Sequence, residues 1–273
     1  MRLIDSHLHL EALDNNALQL MALSGIKAII GMVANPEVIP GINRDFPPDA
    51  IFDYCDRVLD FHAWTTKKYF MIDTYACVGI SMAGIPRRYE ESLTRLRSYI
   101  EDRDQIVGIG EIGFEPESST CRDMKVQEEI IEFQLDLAKQ FDKSVCFHTP
   151  PTQKAKWFER YLSMIKEVDL DPSRVIIDHA DSSVVNIVTD AGCYAAISVQ
   201  PRRRVRAKDA AEMIMSGDRS RILVDSDTSL PHESDPLAVP RTAFELKKLG
   251  MKEPEIEKIL WGNPLRAFGI SEG

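Results

Sequence analysis

The sequence has no excess of positive charge, no long apolar run and no paired-cysteine motif, and each absence narrows its possible functions. Its 273 residues carry a formal net charge of -10, whereas nonspecific binding to nucleic acid or anionic membranes needs a broad basic surface. No run approaches the roughly 20 apolar residues of a membrane span, and no apolar signal-peptide core follows Met1. The 5 cysteines include no Cys-x-x-Cys pair, so neither a disulfide framework nor a cysteine zinc site is predicted. We therefore expect a cytoplasmic protein with reduced thiols and no membrane partner.

The chain also lacks a Gly-rich phosphate turn after its first apolar run, which argues against a doubly wound open sheet. Short β-branched runs alternate with longer amphipathic stretches, a pattern typical of repeated βα units. Eight such runs begin near Arg2–Asp5, Lys27–Val33, Tyr75–Ile80, Ile106–Ile112, Ser144–Phe147, Arg174–Asp178, Tyr194–Val199 and Arg221–Asp225. No flexible linker divides the chain, and we expect Ala34–Pro48 to be a long loop. The sequence predicts one (β/α)₈ TIM-barrel domain over residues 1–273.

Polar side chains stand at the carboxyl ends of five predicted strands. They are His7 and His9 (strand 1), Glu111 (strand 4), His148 (strand 5), His179 (strand 6), and Asp225 and Asp227 (strand 8). Residues two apart on a strand share a face, so Val107 and Ile109 are expected to share one with Glu111. By the same alternation, Val175 and Ile177 should share a face with His179. These side chains should therefore meet at the mouth of the barrel, above an apolar interior.

Imidazole and carboxylate groups are ligands that zinc and manganese accept, and a catalytic site also keeps a position open for water. Six candidate ligands, with only one of Asp225 and Asp227 counted, exceed what one tetrahedral ion uses. Two ions roughly 3.5–4 Å apart would use the whole set, with Glu111 as the bridging carboxylate. The residues predict one or two divalent ions, zinc first, with manganese, nickel or magnesium as alternatives.

Six segments in this order resemble the TatD-like metal-dependent hydrolases of the amidohydrolase superfamily. They are "IDSHLHL", "GIGEIGFE", "VCFHTP", "IIDHADSS", "LVDSDTS" and "WGNPLRAFGI". The resemblance implies a metal-binding set formed by His7, His9, Glu111, His148, His179 and Asp227. Asp227 is preferred to Asp225 because the family's last motif, acid-x-Asp, binds metal through its second acid.

Two departures from the family bear on the substrate. TatD nucleases typically have a His-Pro after strand 3, where this chain has Ser81-Met82, and an Arg two residues after the strand-5 His, where it has Pro150. Both family residues are thought to meet the substrate phosphate. A run after strand 7 that contains Arg202, Arg203, Arg204 and Arg206 could replace them, or could be a solvated helix start. His232, in the loop after strand 8, is a further candidate for substrate contact.

The sequence therefore predicts hydrolysis by a metal-activated water, with Asp227 and Glu111 as catalytic residues. A small anionic substrate with a phosphoester, ester or amide bond is expected. One alternative is a metal-dependent deoxyribonuclease, which the acidic chain and the missing contacts disfavour. Another is a noncatalytic scaffold that keeps metal ions for stability. Nothing in the sequence predicts an oligomeric state.

Overall fold

Eight parallel strands, hydrogen-bonded in chain order, confirm the predicted barrel architecture. The computed structural model describes residues 1–33, 47–101, 103–118, 120–121, 123–229 and 235–272. The strands are Leu3–Leu8 (β1), Ile26–Val33 (β2), Asp73–Val78 (β3), Ile106–Ile112 (β4), Ser144–Phe147 (β5), Val175–Ile177 (β6), Tyr194–Ser198 (β7) and Ile222–Asp225 (β8). Most of the predicted loop Ala34–Pro48 lies outside the described residues.

Helical segments follow the strands around the outside of the sheet. The α-helices are Asn15–Leu23 (α1), Ala50–Asp56 (α2), Ala63–Thr65 (α3), Tyr89–Glu101 (α4), Met124–Gln140 (α5), Lys154–Glu167 (α6), Val185–Asp190 (α7), Ala207–Ser216 (α8), Ala238–Lys248 (α9), Glu253–Glu257 (α10) and Asn263–Ala267 (α11). Wider π-helical turns occupy Arg57–His62, Thr66–Phe70 and Lys258–Gly262, and short 3₁₀ turns occupy Leu10–Ala12, Met82–Gly84, Pro172–Arg174 and Arg219–Arg221. Within the described part of the chain, no helix has the length and apolar content to cross a membrane.

Side-chain caps fix where two of these helices begin. Asp14 accepts a hydrogen bond from the Ala17 amide at 2.7 Å and starts α1. Asp123 accepts one from the Lys125 amide at 2.9 Å and starts α5. Carboxylates are favoured at this position because the first amides of a helix have no partner within it.

Side-chain and loop hydrogen bonds draw β1 and β8 together and leave the barrel nearly closed. The Ser6 hydroxyl donates to the Val224 carbonyl at 3.0 Å. Beyond the strands, the Asp227 amide donates to the His7 carbonyl and the His9 amide to the Thr228 carbonyl, each at 3.0 Å. These bonds place the first and last metal-ligand candidates of the chain side by side.

The interior of the barrel is a separate apolar cluster that takes residues from all eight strands. Its strand members are Ile4, Ala28, Ile30, Met32, Cys77, Val107, Cys146, Ile176, Tyr194, Ala196 and Leu223. Leu265 and Phe268 from the C-terminal segment join it, and the Ser144 hydroxyl donates to the Ala267 carbonyl at 2.6 Å. The C-terminal segment therefore covers the end of the barrel opposite the mouth.

The predicted alternation is wrong for β6. Ile176 faces the interior, whereas Val175 and Ile177 belong to the larger core between sheet and helices. Regular alternation therefore directs the Asp178 side chain into the barrel. The same alternation would direct the His179 side chain away from the barrel axis. His179 reaches the mouth because its backbone is left-handed, with φ 57°, a conformation that is uncommon outside glycine.

The prediction for β4 is also wrong, since Val107 is interior and Ile109 belongs to the outer core. The ladder with β5 is irregular between Ile109 and Ile112, which resets the side-chain phase before Glu111 reaches the mouth. The sequence pattern alone could not predict where the side chains of β4 and β6 depart from regular alternation.

Candidate metal centre

Glu111, His148 and His179 form one group of close polar atoms at the barrel mouth. Glu111 Oε1 lies 2.8 Å from His148 Nδ1 and 3.0 Å from His179 Nε2. The two imidazoles approach to 3.2 Å between His179 Nε2 and His148 Nδ1. Strands β4, β5 and β6 thus contribute one side chain each to a single point.

His7, His9 and Asp227 form a second group from β1 and the end of β8. Asp227 Oδ1 lies 3.8 Å from His7 Nε2 and 3.9 Å from His9 Nε2. Asp227 Oδ2 lies 3.9 Å from His179 Nδ1, which links this group to the first. Asp227 has φ 41°, so a left-handed residue again directs a polar side chain into the mouth.

The donor set fits a divalent metal ion. His7, His9 and Glu111 offer ligand atoms within 4.8 Å of one another, as do Glu111, His148 and His179. Glu111 is the residue common to these two sets of three, as expected for a carboxylate that two ions would share. His7 Nε2 is buried without a hydrogen-bond partner among the described residues, and such an orphaned nitrogen is costly unless a ligand satisfies it. The structure brings together all six residues that the sequence predicts as ligands, and their role in metal binding stays a prediction.

Burial and mutual charges set the protonation of this cluster. Burial raises the pKa of the Glu111 carboxyl, but the neighbouring His148 and His7 outweigh it and hold that pKa well below its usual range. Burial lowers the pKa of His148, but the Glu111 and Glu115 carboxylates outweigh it and raise it to about 9. Burial dominates at His179 and lowers its pKa, which favours the neutral imidazole that a metal ion accepts.

Asp178 is a functional candidate that the sequence prediction omitted. Its carboxylate contacts His7 Nδ1 directly, and both side chains are buried. The Ser198 hydroxyl donates to Asp178 Oδ1 at 3.2 Å and lies 2.7 Å from His179 Nδ1. Correct alternation along β6 would have found Asp178, because Ile176 faces the interior. A carboxylate on the second nitrogen of a ligating imidazole orients the ring and makes it a better ligand.

Asp225 and Asp227 differ sharply in their surroundings. Asp225 is fully buried below the cluster, and neither of its oxygens has a hydrogen-bond partner among the described residues. Burial and the nearby Asp178 raise the pKa of Asp225 well above its usual range, so it favours the neutral acid. Asp227 faces three imidazoles instead, and this geometry favours it as the strand-8 ligand.

A cavity of about 900 Å³ opens beside the cluster, with His148 and His179 in its wall. Its remaining wall comes chiefly from residues 115–117, 150–154, 156–157, 180–181 and 203–205. Arg204 Nη2 lies 3.6 Å from Asp227 Oδ2, with 18% of the side chain exposed. Lys154 is anchored in the wall by hydrogen bonds to the His179 carbonyl at 2.6 Å and to Asp181 Oδ2 at 2.7 Å. The cavity therefore places cationic groups next to the metal-ligand candidates.

The predicted arginine run divides in two. Arg203 and Arg204 line the cavity, whereas Arg202 and Arg206 do not. Arg206 pairs with Asp209 at 2.8 Å on the surface, as a solvated helix start would. His232 lies outside the described residues, so its predicted substrate contact stays a prediction.

Comparison with known proteins identifies the class of hydrolase. Residues 4–269 match the sequence profile of the family described as TatD related DNase. The chain therefore belongs to this family, as the motifs predict, and it is a TatD-family metal-dependent hydrolase.

Three proteins show how far the similarity extends. An uncharacterised metal-dependent hydrolase of Methanocaldococcus jannaschii is 29% identical over 267 residues, covering 96% of this chain and 97% of that protein. A TatD-like protein from Archaeoglobus fulgidus superposes with a TM-score of 0.76 at 22% identity, covering 97% of this chain and 99% of that one. The phosphotriesterase homology protein of Escherichia coli, complexed with phosphate in its active site, gives a TM-score of 0.71 at 16% identity, covering 98% of each chain. The two structural matches show that the barrel fold is shared.

Proposed function

We propose that this protein hydrolyses a phosphoester bond in a small anionic substrate. The observation that carries the proposal is the position of Arg204, whose guanidinium reaches to 3.6 Å from Asp227 and lines the adjoining cavity. A planar guanidinium is well suited to bidentate contact with phosphate. The cavity of about 900 Å³ has the size of a small-molecule site. The phosphate held in the active site of the structurally similar Escherichia coli protein supports the same substrate class.

His7, His9, Glu111, His148, His179 and Asp227 would hold one or two divalent ions, for which we propose zinc. When bound, such ions lower the pKa of a coordinated water and polarise the scissile bond. Asp227, only 5% exposed and beside the imidazoles, accepts the proton of the attacking water. Arg204 and Lys154 hold the negative charge of the substrate at the cavity wall.

A panel of chromogenic substrates tests this proposal. Zinc-loaded protein should cleave p-nitrophenyl phosphate or bis-p-nitrophenyl phosphate with higher kcat/KM than matched p-nitrophenyl carboxyl esters or anilides. The phosphoesters and carboxyl esters share the p-nitrophenolate leaving group, so that the acyl or phosphoryl part decides their comparison. The anilides release p-nitroaniline and test the amide bond. Preference for the carboxyl ester or the anilide would overturn the phosphoester assignment while leaving the hydrolase class intact.

Deoxyribonuclease activity is a second candidate because the matching family is described as TatD related DNase. Pro150 lines the cavity where typical TatD nucleases have a phosphate-contacting Arg, and this departure argues against it. Metal-dependent degradation of single-stranded DNA, faster than cleavage of small phosphoesters and abolished when Arg203 and Arg204 are both changed to Met, would favour the nuclease. The cytoplasmic location stays a prediction.

A further inference from the structure

Glu11 presents a buried carboxylate next to the candidate metal centre that the proposed reaction does not use. It lies in the 3₁₀ turn Leu10–Ala12 directly after β1. Only 17% of its side chain is exposed, and both carboxylate oxygens are buried without a hydrogen-bond partner among the described residues. Burying an ionisable group without a partner costs free energy. A hydrogen bond to the Glu11 carboxylate would remove this cost.

The neighbour of Glu11 on the site side is His9, whose Nδ1 is also buried and has no hydrogen-bond partner in the part of the chain that the structure describes. His9 Nδ1 lies 3.9 Å from Glu11 Oε1, so this nitrogen and this oxygen are neighbours. The other ring nitrogen, Nε2, lies 3.9 Å from Asp227 Oδ1 and faces the metal-ligand cluster. The ring is therefore aligned with one nitrogen toward the centre and the other toward a carboxylate.

The backbone on both sides of Glu11 is fixed. The His9 amide donates to the Thr228 carbonyl at 3.0 Å, and the Ala12 amide donates to the His9 carbonyl at the same distance. The Tyr54 hydroxyl is likewise buried without a hydrogen-bond partner among the described residues, and it is close enough to Glu11 for the Glu11 carboxylate to act on it. Burial raises the pKa of Tyr54, and the Glu11 charge raises it further, so the phenol stays a donor.

We infer that Glu11 is a positioning residue that accepts the Nδ1–H of His9 and fixes the tautomer whose Nε2 faces the metal centre, with Tyr54 donating to the second oxygen of Glu11. Ligating histidines are commonly held by a carboxylate in this way. His7 has the equivalent partner in Asp178. Both imidazoles of the "HLH" motif thus have a dedicated acid, one from the adjacent turn and one from β6.

The inference rests on the metal centre of the proposed function, but Zn²⁺ binding tests it without any substrate. We expect Glu11→Gln to weaken Zn²⁺ affinity about 10- to 100-fold in a competition titration with a chromogenic chelator. Glu11→Asp, which keeps the carboxylate, should recover most of that loss. Asp53→Asn is the matched control, because Asp53 is an exposed acid adjacent to Tyr54.

Wild-type affinity in Glu11→Gln, or equal losses in Glu11→Gln and Glu11→Asp, would overturn the inference and leave the phosphoester proposal standing. If Glu11→Gln does not fold, ¹⁵N-histidine NMR of the wild-type protein tests the inference by showing which His9 nitrogen carries the proton. The His9 signals are assigned as those missing from the spectrum of His9→Asn. The expected His9 signals are those of the Nδ1–H tautomer, and Tyr54→Phe should shift them. An Nε2–H tautomer, or a pattern insensitive to Tyr54→Phe, contradicts the inferred hydrogen bonds.

Discussion

The His7 imidazole and the Asp178 carboxylate are in direct contact at the candidate metal centre, although they lie 171 positions apart in the chain. The contact uses His7 Nδ1 and leaves Nε2 facing Asp227. A single hydrogen bond therefore fixes which nitrogen of His7 the site can use. It also couples the ends of β1 and β6 across the barrel.

Replacing Asp178 with Asn should lower the affinity for metal strongly and lower the stability of the fold less. The amide keeps the shape but removes the charge that holds His7, so we expect Zn²⁺ affinity to fall about 10- to 100-fold. Chelator competition measures the affinity, and thermal unfolding of the apo-protein checks the fold. Asp190→Asn, at an exposed acid ending α7, should change neither quantity. Unchanged affinity in Asp178→Asn would show that His7 needs no carboxylate partner.

The paired variants Asp225→Asn and Asp227→Asn should behave oppositely in the activity assay. Asp227 faces the imidazoles and the cavity cation Arg204, so its loss should abolish turnover. Asp225 favours the neutral acid in its buried position, so an amide of the same shape should keep most of the activity. Initial rates on the best phosphoester, at saturating metal, measure both. Lost activity in Asp225→Asn together with retained activity in Asp227→Asn would reverse the assignment.

Much of the site could be predicted because strand ends in a parallel barrel meet at one mouth. His7, His9 and Asp227 meet because β1 and β8 are neighbours in a barrel, a consequence of topology and not of local pattern. The two-residue period failed where the backbone departs from regular strand geometry. The left-handed turn at His179 and the irregular register before Glu111 are set by tertiary packing. Asp178 was missed for the same reason. Regular alternation back from His179 assigned the Asp178 side chain to the outer face of β6, whereas it points into the barrel.

Neutralising Arg204 should impair hydrolysis of phosphoesters, whereas neutralising Arg206 should not. A charged hydrogen bond contributes about 1.5–3 kcal/mol, so Arg204→Met should lower kcat/KM for a phosphoester about 10- to 100-fold. Arg206 pairs with Asp209 outside the cavity, and Arg206→Met should stay within about twofold of wild type, as expected for a surface pair. Neutral carboxyl esters should be cleaved equally by all three proteins. Equal losses in both variants would instead point to a diffuse electrostatic effect of the arginine run.

Metal binding should release protons, and its affinity should rise with pH. A metal ion needs neutral imidazole, and the pKa of His148 is raised to about 9 by Glu111 and Glu115 against the opposing effect of burial. Below that pH the His148 proton must leave before the ring can bind metal, so apparent affinity should climb about tenfold per pH unit from this group and level off near pH 9. Calorimetric titration of the apo-protein with Zn²⁺ at pH 7, in buffers of different ionisation enthalpy, measures the protons released. His148→Asn should release fewer protons, and a binding heat independent of the buffer would show that His148 is already neutral at pH 7.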